Sequence, residues 1–144
     1  MVEGVWTPSL AFLTDLLSIV TLKSIILGCN NLEKKEAYEK EAREIMNSID
    51  KLMTPGFGRI IRAIQINMLT NRLIWENETK ARLGGEEQNH LLPLTHSLNG
   101  MRQRAGNEII KQIGGRKDLN LDRVNEELIR KFGFDVSLLF EDII

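Results

Sequence analysis

The sequence predicts an all-α fold: a helical bundle of four long helices plus short C-terminal helices. Three observations lead there. Apolar residues recur at three- and four-residue spacing, and alternation of the strand type is scarce. Turn signals at Gly28–Asn31, Thr54–Gly56, Gly84-Gly85 and Gly114-Gly115 cut the chain into pieces of helical length. The connections between those pieces are short, which suits helices packed as neighbours.

In chain order, a first helix is expected to open with Thr7 as N-cap and Pro8 in the first turn. It runs to about Leu27 and stops at Gly28. A second spans about Leu32–Met53, where Tyr38, Ala42, Ile45, Ile49 and Leu52 form an apolar stripe at 4-3-4-3 spacing. Its Glu, Lys and Arg residues are assigned to water. A third covers Phe57–Leu83 and a fourth about Glu86–Ile113, with Pro93 beginning or kinking it. A short fifth helix is expected over Leu121–Lys131 after Asn120. The tail "FGFDVSLLFEDII" is expected to form a last short helix. It crowds Phe132, Phe134, Leu138, Leu139, Phe140, Ile143 and Ile144 together and must pack on its own bundle or on a partner. The reading is one domain over 1–144, with 132–144 as an apolar packing or homo-oligomerisation segment.

The formal net charge is −1, so no global field attracts nucleic acid, which is not an expected partner. Cys29 is the only cysteine; an intramolecular disulfide and a Cys/His zinc site are both excluded. The apolar stretch Ser9–Gly28 approaches membrane length, but Asp15 and Lys23 interrupt it. A bundle helix is therefore expected there, with no membrane partner. The chain shows no secretory signal, so the cytoplasm is the expected compartment, a host's cytoplasm if the source is viral. His90 and His96 are six residues apart, off the spacing of a helical metal pair. Gly114–Lys117 reads as a C-cap loop. No metal and no cofactor is expected.

The functional clue is polar residues on faces expected to be inside. On a wheel of about 100° per residue, Arg62, Gln65, Arg72 and Glu76 mark the water side of the third helix. Opposite them fall Ile60, Ile64 and Ile74, together with Asn67, Asn71, Glu78 and Arg82, and Trp75 flanks the group. On the fourth helix Ser97, Arg104, Glu108 and Lys111 share one side. Leu91, Leu98, Ile109, Ile113, Gly106, Asn99 and Arg102 share the other. On the first, Asp15 and Lys23 fall among Phe12, Leu16, Ile19 and Ile26. Buried charges need partners. Here two acids (Asp15, Glu78) face three bases (Lys23, Arg82, Arg102), leaving one positive charge over.

The same residues carry a resemblance. "FLTDLLSIVTLKS" (12–24) is similar to the "ELIDKLSILEIKS"-type opening of a small uncharacterised all-helical family found near surface-polysaccharide glycosyltransferase genes. "NRLIWENETKAR" resembles its "N-x-x-L-W-x-x-E-D-x-x-R" segment through Asn71, Trp75, Glu78 and Arg82. Asn99 and Arg102 resemble its later "N-D-x-R". Thr79 and Gly100 stand where the family has Asp, which removes two carboxylates from any metal role. The resemblance implies a helical fold with a shared polar site and no particular reaction. Compact helical proteins of this kind also occur in phage genomes.

The function expected is enclosure of an anionic small molecule, of nucleotide or sugar-phosphate type, between helices one, three and four. If the protein is viral, it would sequester a nucleotide signal. The expected ligand-binding residues are Lys23, Asn71, Trp75, Glu78, Arg82, Asn99 and Arg102. Arg and Lys would hold the anion, Asn would read polar edges and Trp75 would stack. Two alternatives stand beside it. One is a nucleotide or glycosyl-phosphate hydrolase or transferase with Glu78 or Asp15 as general base. The other is a structural oligomerisation module whose buried polar groups satisfy one another.

Overall fold

A computed structural model describes residues 7–83, 88–116 and 119–140, with side chains inside the helices omitted for 81–83 and 88–91. The described residues are all-helical and contain no strand. Five helices follow in order: α1 Leu10–Ile26, α2 Leu32–Leu52, α3 Phe57–Leu83, α4 Gln88–Ile113 and α5 Glu126–Lys131. They pack as two hairpins, α1 on α2 and α3 on α4, joined through α2 against α3; α5 sits on α4. No helix is long and apolar enough to cross a membrane among the described residues.

Local chemistry sets the ends. α1 is capped by Ser9, whose Oγ accepts from Phe12 N at 3.1 Å, two residues later than the expected Thr7 cap. Asn31 caps α2 by accepting from Lys34 N at 3.1 Å. The start of α3 is held from another helix: Asp50 of α2 accepts from Gly56 N at 3.0 Å and Gly58 N at 2.7 Å. Gly56 has φ +90°, which the turn between α2 and α3 requires of it. Gly28 is needed for closeness, since a Cβ there would run into the Ser24 carbonyl and the Lys35 side chain.

Two expectations for the C-terminal third are corrected. α5 begins only at Glu126, behind an Asn125 cap. The preceding segment is instead tied along α4, where Asp122 N donates to Gln103 Oε1 at 2.8 Å and Asn125 N donates to Ser97 Oγ at 3.1 Å. Side chains of α4 thus satisfy backbone groups that a helix would have satisfied internally. The tail to residue 140 is a series of turns with no helix. It nevertheless packs on its own bundle, with Val136, Leu139 and Phe140 buried. Residues 141–144 lie outside the described part.

There are two apolar clusters. One joins Leu13, Leu17 and Val20 of α1 to Ala42, Ile45, Met46 and Ile49 of α2. The other joins Ala63 and Ile66 of α3 to Leu94, Leu98, Met101 and Ala105 of α4, to Ile129, and to the tail. The faces of α3 and α4 are rotated from those expected. α3 buries Arg62, Ala63, Ile66, Thr70 and Asn77, while Ile64 and Trp75 are 53% and 62% exposed. α4 buries Ser97 and Glu108, while Arg102 and Ile113 are exposed. Apolar residues lie all around α3, so its wheel has no strong preference. The polar residues taken to mark the water side include one that is buried against another polar partner.

Removing the tail tests its packing. A chain ending at Lys131 loses three buried apolar side chains, each worth about 1.5–3 kcal/mol. Its urea midpoint should fall steeply; an unchanged midpoint and slope would show that the tail contributes nothing to the core.

Candidate functional site

The structure brings together some of the expected site residues, but on the surface. Asn71, Asn99 and Arg102 form a chain: Arg102 donates to Asn71 Oδ1 at 3.4 Å and to Asn99 Oδ1. Asn71 in turn donates to Asn67 Oδ1 at 3.1 Å, and Asn99 to Asp122 Oδ2 at 2.6 Å. Asn71 and Arg102 are exposed. Trp75 is exposed too, with the Arg72 guanidinium 5.5 Å from its ring centroid. Glu78, Asp15 and Lys23 are exposed and make no ion pair among the described residues. The side chain of Arg82 lies outside the described residues, as does that of His90. The expected enclosure between α1, α3 and α4 is therefore not formed by these side chains. Gly106 faces open space and makes no close helix approach. The two acids considered as general bases stand on exposed helix faces.

The buried polar residues are different ones. Glu39 of α2 (1% exposed) is paired with Arg62 of α3 (3% exposed) at 2.5 Å, and also accepts from Ser24 Oγ of α1 at 2.5 Å. One turn before Glu39, Lys35 is fully buried. Its Nζ donates to the Ser24 carbonyl at 3.2 Å and to the Asp135 carbonyl of the tail at 2.6 Å. Asp135 N closes the junction by donating to Ile25 O at 2.7 Å. Burial pulls the Lys35 amine down to about 8 from an ordinary 10.5, against the opposing pull of Asp135 and Glu39.

Sequence reading missed this cluster because it assigned the charged residues of α2 to water. The signal was present. Lys35, Glu39, Ala42, Met46 and Ile49 continue a 4-3-4-3 stripe, so two charged residues occupy the upper turns of a buried face.

Beside the Glu39–Arg62 pair lies a cavity of about 50 Å³, lined by Glu39, Arg43, Met46, Arg59, Arg62, Glu108 and the tail residues 138–140. An adjoining, larger cavity of about 350 Å³ shares Arg43, Met46 and Arg59 and adds Asn47, Asp50, Gly56 and Gln112. Arg59 pairs with Glu108 at 3.1 Å. Arg43 makes no ion pair among the described residues, and the buried Nε of Arg62 has no hydrogen-bond partner. Around the smaller cavity three guanidinium groups meet two carboxylates, leaving one positive charge over. Among the described residues no cluster of three metal-ligating side chains occurs. No family model, curated protein or solved structure matches the chain.

The polar junction carries two expectations. Between about pH 8 and the ordinary lysine value of 10.5, the unfolded chain keeps the Lys35 proton that the folded chain has released. The unfolding free energy should therefore gain from Lys35 as pH rises through that window. In Lys35→Met this contribution should vanish from urea curves measured across the window; a slope identical to that of the parent would refute the assignment. Glu39→Ala should cost about 3–5 kcal/mol, because it leaves Arg62 buried without its counter-charge. Glu39→Leu with Arg62→Met should recover most of that loss in the same denaturation assay.

Proposed function

We propose that this protein binds a small anionic molecule in the groove where α2, α3 and α4 meet under the tail turn. The carrying observation is a cluster of three guanidinium groups with unused donors. Arg62 brings a buried Nε without a partner, Arg43 brings an unpaired head group, and Arg59 stands between the two cavities. Guanidinium groups present planar, forked donors that match phosphate or carboxylate oxygens. An anion seated there supplies acceptors to the Arg43 head group and the Arg62 Nε.

The larger cavity bears on the rest of the ligand, beyond its anionic head. The described lining offers the amides of Asn47 and Gln112 and no aromatic ring, and its one carboxylate, Asp50, already accepts from Gly56 N and Gly58 N. That surface hydrogen-bonds hydroxyl groups and gives a nucleobase nothing to stack on, so a sugar phosphate suits it better than a nucleotide. Binding without turnover is favoured because Glu39 and Glu108 are each tied to an Arg. Neither is placed as a free base.

Titration calorimetry with inorganic phosphate, a hexose phosphate and a nucleoside monophosphate tests the reading. Arg43→Ala should weaken hexose-phosphate binding about tenfold, the worth of one charge-assisted hydrogen bond. The exposed Arg43 has no described ion pair to lose, so urea stability should stay within about 0.5 kcal/mol of the parent. Equal affinity in parent and variant, or no heat with any of the three anions, would exclude this site.

A further inference from the structure

The outward face of α1 leaves apolar side chains exposed. Ile19 is 42% exposed, and so is Leu22, while Ile26 is 45% exposed. The exposed Asp15 and Lys23 lie on the same face, within about 60° of Ile19 on the wheel. The opposite face, with Leu13, Leu17, Val20 and Ser24, is the one buried in the bundle. Eight residues separate Asp15 from Lys23, about 12 Å along the helix axis, so the two cannot pair with each other. Neither pairs with any other described residue.

The spacing of these residues is symmetric about Ile19, with opposite charges at its two ends. Asp15 lies four residues before Ile19 and Lys23 four after; Leu16, which also packs partly on the α1–α2 cluster, and the exposed Leu22 lie three to each side. We infer that the occupant of this face is α1 of a second copy, packed antiparallel about a two-fold axis at Ile19. A two-fold contact uses one patch twice, so residues equidistant from its centre meet. Asp15 then faces Lys23 of the other copy at both ends, Leu16 faces Leu22, and Ile19 meets its own counterpart. Parallel packing in register would set Asp15 against Asp15 and Lys23 against Lys23, and like charges opposed across an interface are repulsive. The charges therefore select orientation as well as partner. This inference does not depend on the anion groove, which is built from α2, α3, α4 and the tail.

Sedimentation equilibrium of the full chain gives the test. The parent should be a dimer at micromolar concentration. Asp15→Lys alone and Lys23→Asp alone each turn two attractive contacts into two repulsive ones. Each should raise the dimer dissociation constant at least about tenfold, with the circular dichroism of the parent retained. The double variant Asp15→Lys with Lys23→Asp should restore the parent's association. In a Cys29→Ser background, Ile19→Cys should form a disulfide-linked dimer on mild oxidation. A monomeric parent overturns the inference. So does a dimer whose dissociation constant ignores both single charge changes, since its contact then lies elsewhere.

Discussion

A carboxylate and a guanidinium taken out of water together constrain everything around them, because neither tolerates losing the other. Glu39 and Arg62 are such a pair, nearly inaccessible and joined at 2.5 Å between α2 and α3. The pair joins the two helical hairpins at the α2–α3 contact. Ser24 adds a hydrogen bond from α1. Lys35, one turn away, clamps the end of α1 to the tail through two carbonyls. The two apolar clusters supply most of the burial. A buried ion pair adds a directional requirement, because losing either partner leaves an uncompensated charge.

The same constraint creates the groove. Arg62 reaches Glu39 with one terminal nitrogen, which leaves its Nε buried and without an acceptor. Arg59 and Glu108 make a second pair across α3 and α4, and Arg43 of α2 completes the basic rim. The roof is the tail, whose Leu139 and Phe140 are buried while Leu138 lines the cavity from a more open position. The tail's described apolar residues are thus largely used within their own chain. Part of the apolar surface left outward lies on α1, where charges of opposite sign interrupt it symmetrically.

How much was legible in the sequence depended on the range of the interaction responsible. Helices were legible because their signals are local: α3 begins and ends where the spacing placed it, and Asn31 and the Gly114 turn mark neighbouring ends. The faces of α3 and α4 were not legible. Placed by angle on a wheel with apolar residues all around, Arg62 and Glu108 were assigned to water and Asn71 and Arg102 to the interior. The structure reverses both pairs. Asn71, Asn99 and Arg102 were rightly grouped, and they do touch, but at the surface.

By itself the sequence determined an all-helical chain, its main breaks and its near-neutral charge. It also carried the order Asp15, Ile19, Lys23, which reads symmetrically. Only the tertiary structure decided which charges are inside. Burial of an ionisable group depends on a partner arriving from another element: Glu39 waits on Arg62 twenty-three positions away, and Lys35 on Asp135 one hundred positions away. No local pattern encodes those meetings, and they decide which charged groups leave water.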